Sequence, residues 1–196
     1  MTWPWPWPQR PQTPAEAGQD PDVPRHLVGA TDRPARLTGD TVRVPVAIDE
    51  RATGSLRADK RAAEQRHRAF LDIEDIDAAR NPGRVYGVYV NLPDQPTAAD
   101  LAAHHVGNVS LFGVERARHP RGDQQPHGLR ASMEITGLLD RLAVDGKWRD
   151  GRALEVTFRP LTLEPPPGRA DLADALATTA HPDVPITIGR ISVYYA

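Results

Sequence analysis

The feature that most constrains this chain is a period of two in its apolar residues, carried by short runs that proline and glycine interrupt. In TVRVPVAID, Val42, Val44, Val46 and Ile48 alternate with Arg43, Pro45, Ala47 and Asp49. Successive side chains of a strand point to opposite faces, so this run buries one face and wets the other. Pro45 cannot donate a ladder hydrogen bond, which predicts an edge position. AFLDIED sets Leu71 and Ile73 on one face and Asp72 and Glu74 on the other. A turn at Asn81-Pro82-Gly83 leads into RVYGVYVNLP, where Tyr86, Val88, Val90 and Leu92 share a face, and the two runs read as a hairpin. VGNVSLFGV, GLRASMEIT, ALEVTFRPL and ITIGRISVYYA continue the series. In the last, Ile186 and Ile188 are followed out of phase by Ile191, Val193 and Tyr195. One extra residue at Gly189-Arg190 returns that set to the same face, as a β-bulge does.

Helical signals are brief and fall between strands. Thr97 with Asp100 three residues on forms a capping pattern before DLAAHH. GLLDRLAVDG predicts a short amphipathic helix through Leu138, Leu139 and Leu142, stopped at Gly146. SLRADKRAAEQRHR reads as either a solvated helix or a loop, and the stretch beginning PPPGRADLADALATT as an inserted loop with a turn of helix from Asp171. About seven strands with helices only at connections predict an all-β chain, a mainly antiparallel β-sandwich.

Proline supports that reading and also sets off the N-terminus. There are 20 prolines in 196 residues, about twice the usual share of roughly one in twenty. MTWPWPWPQRPQTP alternates tryptophan with proline, a pattern that favours polyproline II over a packed core. Residues 1–25 are thus expected to be a disordered arm or linker, and residues 26–196 the β-domain. Trp3, Trp5 and Trp7 make the arm a candidate docking element. The stretch lacks a basic n-region and its apolar residues are broken by proline, so it does not read as a secretory leader. No run reaches the roughly 18 apolar residues of a membrane span, and a cytoplasmic chain is expected. The net charge of −2, with bases dispersed among acids, argues against nucleic acid and anionic membranes as partners. With no cysteine, thiolate metal sites, disulfides and thiol nucleophiles are excluded.

Chemistry could reside in the seven histidines, His26, His67, His104, His105, His119, His127 and His181. None falls in HExxH or HxxxH, the spacings that put ligands on one helical face. His104 and His105, being neighbours, diverge. His119 and His127 flank HPRGDQQPH, which could close on a metal with Asp123. These four are the weak metal candidates, and the reading is that the chain holds no metal. Ser110 sits in GNVSLFG with glycines three residues away on each side, not two, so it is no nucleophile elbow. Ser132 reads as a strand residue. Asp72 and Glu74 read as a solvated face, because no pocket is in evidence to raise a carboxyl pKa.

Several stretches taken in order resemble one family. They are LVGATDRPARLTGDTVRVPV, FLDIEDIDAARNPGRVYGVYVNLP, HHVGNVSLFGVE, LRASMEITGLLDRL, LEVTFRPL and ITIGRISVYYA. Together they are similar to the C-terminal β-domain of tyrosinase-family proteins, related to those of polyphenol oxidases and hemocyanins. The resemblance covers roughly residues 26 to 196. In that family a separate four-helix bundle holds two coppers with six histidines, and the β-domain packs over its mouth. No such bundle is present in this sequence.

The resemblance therefore implies a non-catalytic shielding or assembly subunit with no cofactor of its own. Its partner would be a separately encoded tyrosinase-like di-copper oxidase, and the copper would lie there. The alternatives are a copper-delivery chaperone and a stand-alone interaction domain. Candidate contact residues are Phe112, His119, Tyr86, Tyr89, Tyr194, Tyr195 and the three arm tryptophans. The loop from Gly113 to Gly128 is the favoured region. Phe112, however, also reads as a core residue.

Overall fold

The computed structural model describes residues 25–49, 68–118, 128–145, 153–161, 181 and 183–196. Among them nine strands form one antiparallel sheet. They are β1 (His26–Ala30), β2 (Ala35–Leu37), β3 (Val42–Ile48), β4 (Ala69–Ala78), β5 (Val85–Val90), β6 (His105–Ser110), β7 (Leu129–Glu134), β8 (Ala153–Leu161) and β9 (Ile186–Tyr195). Three helices lie between strands: α1 (Ala98–His104), α2 (Val114–Arg118) and α3 (Thr136–Val144). The expected all-β class holds. Strands β1 and β2 are additional to the expected set. The expected arm, the 50–67 stretch, Gly146 and the Asp171 region lie outside the described residues.

The strand order is β6-β5-β8-β3-β1-β9-β4-β7, with β2 beside β9. Its weakest link is β1 to β3, where only Gly29↔Ile48 and Ala30↔Ala47 pair. The sheet turns a corner there, so β6-β5-β8-β3 faces β1-β9-β4-β7 across a shared core. The ends of the series meet again at β6 and β7. A Cβ on Gly107 of β6 would lie 3.0 Å from the Met133 sulfur of β7, so this seam is closed by a side chain against bare backbone. The result is a sandwich close to a closed barrel. Its core holds Leu71, Ile73, Tyr86, Val88, Leu154, Phe158, Ile188 and Val193. These are the period-two positions of facing strands.

Two expectations on pairing need correction. The runs around Asn81-Pro82-Gly83 are not a hairpin: β4 pairs with β7 and β9, while β5 pairs with β6 and β8. The turn itself exists, with Gly83 at φ 65° and its N–H donating to Asn81 Oδ1 at 3.0 Å. A link from Ala78 to Val85 exceeds the two-residue loop that favours a hairpin, and it carries the chain to the other half of the sandwich. Pro45 is an edge residue only locally. Strand β3 has β8 along one side, whereas β1 reaches only Ala47 and Ile48 on the other.

The phase change in β9 is real, since Ile186, Ile188, Ile191 and Val193 are all buried. Strand β4 makes the same step, burying Leu71, Ile73, Ile76 and Ala78. The two strands therefore stay in register from Ala69↔Tyr195 to Ala78↔Ile186. The extra residue appears as a bulge against β7, between Ile73 and Ile76. Asp75 at the step takes φ 53°, a left-handed value that aspartate tolerates better than most residues. Its neighbours are both glycine. A Cβ on Gly189 would lie 2.7 Å from Asp75 Cβ, and one on Gly128 would lie 2.4 Å from Asp75 Cα.

The helices follow their sequence signals. Thr97 Oγ1 accepts the Asp100 N–H at 3.2 Å and the Asp100 carboxylate accepts the Thr97 N–H at 3.0 Å, which starts α1. Helix α3 buries Leu138, Leu139 and Leu142. Arg141 joins the two helices by donating to the Ala103 carbonyl at 3.2 Å.

Gly128→Ala should lower stability by about 1–3 kcal/mol, because its methyl group has only backbone to push against. Gly137→Ala, whose Cβ would meet nothing nearer than Arg141 Nη1 at 3.8 Å, should raise stability by about 0.5–1 kcal/mol through helix propensity. Urea midpoints of the two variants check both signs.

Candidate functional site

One end of the sandwich gathers the end of β6, the starts of β5 and β7, the end of β4 and the start of β9. The register shows it: Val85↔Ser110, Ile76↔Leu129 and Ala78↔Ile186. Strand β6 stops at Ser110 because the next four residues fold into a tight turn. The Val114 N–H donates to the Leu111 carbonyl at 3.1 Å, and Gly113 sits at φ 86°. A turn of this kind needs a positive φ at its third residue, where glycine is at ease. Leu111 and Val114 are both buried, so the turn is anchored at each end. Phe112 is then forced outward and is 84% exposed. The expectation that Phe112 belongs to the core is overturned: Val109 and Leu111 face inward, so alternation itself points Phe112 outward, and the turn keeps it there.

Helix α2 follows at once and leans on the neighbouring connection. Glu115 Oε1 accepts the Asn81 N–H at 2.8 Å, and Arg118 Nη1 lies 3.5 Å from Asp77 Oδ2. Ser110 Oγ accepts the Phe112 N–H at 3.3 Å, which steadies the turn locally.

The other aromatic candidates are placed differently. Tyr86 is fully buried, and its hydroxyl has no hydrogen-bond partner among the described residues. Tyr89 is buried as well, its hydroxyl lying 2.9 Å from where a Gly87 Cβ would be. Neither ring is presented at the surface. Tyr194 and Tyr195 are half-buried at the opposite end, where β9 closes. Burial pushes the Tyr195 hydroxyl pKa up, and the Asp140 charge adds to that. Trp3, Trp5, Trp7, His119, His127, His67 and Asp123 lie outside the described residues.

His104 and His105 do diverge. His104 ends α1 inside the fold, with Nδ1 2.8 Å from the Val90 carbonyl oxygen. His105 opens β6 on the surface, with Nε2 2.9 Å from Asn108 Oδ1 and its ring 5.3 Å from that of Tyr89. His26 begins β1 and is exposed, while the His181 N–H donates to the Asn81 carbonyl at 3.3 Å. Among the described residues no three His, Asp or Glu side chains come together as a metal site would require.

The carboxylates of β4 need correction too. Asp72 and Glu74 do share the outward face, yet Asp72 is completely buried and not solvated. Its carboxylate accepts from Arg130 Nη2 and from Ser132 Oγ, the latter at 2.5 Å, with Arg25 Nη1 3.6 Å away. Glu74 lies 3.4 Å from the same Arg130 and accepts from Ser192 Oγ at 3.3 Å. The Asp72 hydrogen bond raises the Arg130 pKa. Beside it, Arg25 and Arg68 stand over the Phe70 ring at 4.6 and 5.2 Å. Arg68 also pairs with Glu134 at 2.5 Å. That hydrogen bond holds the Glu134 carboxyl below its ordinary range. Long arginine side chains from neighbouring strands cover the acid, a burial that alternation alone cannot reveal.

A family model described as Domain of unknown function (DUF7868) matches residues 24–196. The chain belongs to that family. No curated protein matches this DUF7868 chain. Solved structures similar to it include latent aurone synthase (polyphenol oxidase) from natural source and the recombinantly expressed latent enzyme. Identity is 18% in both, with TM-scores of 0.46 and 0.47, covering 85% of this chain and 26% of those chains. The DUF7868 chain thus spans about a quarter of their length. No helix among the described residues is long and apolar enough to cross a membrane.

Two features of the site were missed from sequence, the Leu111–Val114 turn and helix α2. The signal for the first was Gly113 flanked by two apolar residues at turn spacing. For the second it was Glu115 ahead of Arg116 and Arg118, charges that suit the two ends of a helix.

The ionised Glu134 with Arg68 contributes stability above its ordinary pKa of about 4.3, and that contribution is lost as pH falls through the lowered folded value. Glu134→Gln should therefore be less stable than wild type at pH 7 and match it near the acid limit. Thermal midpoints followed from pH 7 downward check this, and curves that remain parallel throughout would contradict it.

Proposed function

We propose that this chain is a non-catalytic covering module for a separate di-copper oxidase of the tyrosinase type. Its role is to occupy the mouth of that enzyme's active site. The observation that carries the reading is Phe112, a large apolar side chain 84% exposed on an anchored turn at one end of a rigid sandwich. A lone exposed aromatic is unremarkable on statistics alone. One fixed outward by buried neighbours on both sides is suited to entering a pocket. The ordered resemblance of the sequence segments to tyrosinase-family β-domains supplies the kind of pocket.

The chemistry is steric. A phenylalanine ring has the size and shape of a phenolic substrate ring but no hydroxyl group to be oxidised. Placed at the entrance it excludes substrate without being consumed. The remainder of the interface would have to hold the complex, since stable protein interfaces bury about 1,200–2,000 Å² in total. Copper belongs to the partner in this reading, and this chain supplies no ligand. Delivery of copper through His104 and His105 gains no support from their positions, one ring buried on a carbonyl and the other on the surface.

The test is to recover complexes on the tagged full chain from its own cells and to assay catechol oxidation with and without added chain. A histidine-rich di-copper oxidase should be identified in the eluate, and the chain should slow its turnover. Phe112→Ala should relieve that inhibition at least tenfold, on the scale expected for burying one such ring, while the complex persists. Recovery of no oxidase, or of one whose rate the chain leaves unchanged, would overturn the reading.

A further inference from the structure

We infer that Glu115 is a positioning residue for Phe112, acting through its hydrogen bond to the backbone of Asn81; its consequence for inhibition rests on the covering role proposed above. Helix α2 has five residues, fewer than a helix needs to persist alone in water. It begins two residues after Phe112, and its first residue, Val114, is in the core. The direction of the helix axis therefore sets the direction of the turn that carries Phe112. Three contacts fix that axis: Val114 inward, Glu115 Oε1 on the Asn81 N–H at 2.8 Å, and Arg118 near Asp77 at 3.5 Å. The last joins two half-exposed side chains, a class of pair that adds little. The Glu115 bond differs because its partner is a backbone donor in a fixed place.

Asn81 is fixed from three sides. Its side-chain oxygen accepts the Gly83 N–H at 3.0 Å, its carbonyl accepts the His181 N–H at 3.3 Å, and its own N–H goes to Glu115. His181 in turn accepts the Val184 N–H at 3.0 Å, just ahead of β9. One residue thus links the β4–β5 connection, the approach to β9 and the helix behind Phe112. Removing the carboxylate detaches α2 from that hub without touching the core. Among the described contacts the turn would then keep the buried Leu111 and Val114, the Ser110–Phe112 hydrogen bond and the weak Arg118–Asp77 pair, and Phe112 would swing more freely.

Limited chymotrypsin digestion of the full chain reads this directly, because Phe112 is a cleavage site only when its turn can open. Cleavage after Phe112, followed by mass spectrometry, should be about tenfold faster in Glu115→Ala, the scale of one lost hydrogen bond to a charged group. Glu115→Gln keeps an oxygen acceptor and should behave as wild type. Both should keep the wild-type melting temperature to within a few degrees, which separates local release from global unfolding. Equal cleavage rates in wild type and Glu115→Ala would overturn the assignment. So would equal acceleration in Glu115→Gln. With the oxidase, Glu115→Ala should weaken inhibition more than affinity. If Phe112→Ala leaves inhibition intact, the covering role fails, and the digestion still decides the role of Glu115.

Discussion

The fold depends on a step that β4 and β9 take together. Each strand inserts one residue at the same level, so the pair remains in register while its apolar side chains stay on the core face. Had only one strand made the step, the pairing would slip by one, and every side chain beyond it would change face. Asp75 pays for this with a left-handed backbone, and Gly128 and Gly189 make room on either side. The surplus emerges as a bulge against β7, and bulges bend and twist the strands that carry them. That bend is consistent with β7 reaching β6, where Met133 packs on the bare backbone of Gly107. A sheet that turns at the short β1–β3 corner and curls at the β4 bulge encloses its core almost completely.

Curling also decides what the ends of the sandwich present. Strands β4 and β6 belong to different halves, yet their terminal connections meet where Glu115 accepts from Asn81. The Leu111–Val114 turn is thereby braced by both halves. At the opposite end α3 packs Leu138, Leu139 and Leu142 on the core, and Arg141 ties α1 to it through the Ala103 carbonyl. The two ends are unlike: one is capped by the amphipathic helix α3, while among the described residues the other offers the exposed Phe112 ring on a short, anchored turn.

Most of this architecture was legible because period-two burial is a local signal. Val46, Ile48, Tyr86, Val88, Val90, Leu154, Val156 and Phe158 are buried as their alternation predicts. The step in β9 could be read too, from Ile188 and Ile191. Its counterpart in β4 has the same three-residue spacing, Ile73 to Ile76, and was overlooked. Pairing is a long-range property, which is why a good turn at Asn81 suggested a hairpin that does not form. Asp72 was misjudged for the same reason. Alternation gives its direction, but its burial depends on Arg130 and Ser132, some sixty residues away. Phe112 was misassigned although alternation with the inward Val109 and Leu111 places it on the outer face, where the turn at Gly113 holds it.

If this end covers a partner as proposed, the energetics would divide its work between affinity and occlusion. Burying one phenylalanine contributes about 1.5–3 kcal/mol, whereas a micromolar complex requires about 8 kcal/mol net, after association costs of at least about 4 kcal/mol. Phe112 alone cannot hold a partner. In the covering role proposed above, attachment would have to come from a wider surface; Arg80 and Arg116 are exposed at this end. What Phe112 can supply is selectivity of position. A rigid ring loses little conformational freedom on entering a pocket, whereas a mobile one loses about 0.5–1.5 kcal/mol on being ordered. That loss is comparable with a large part of what the ring gains by burial. Bracing by Glu115 and the Asn81 hub therefore costs the fold little and preserves most of the gain from burying the ring, provided the turn is already ordered in the free chain.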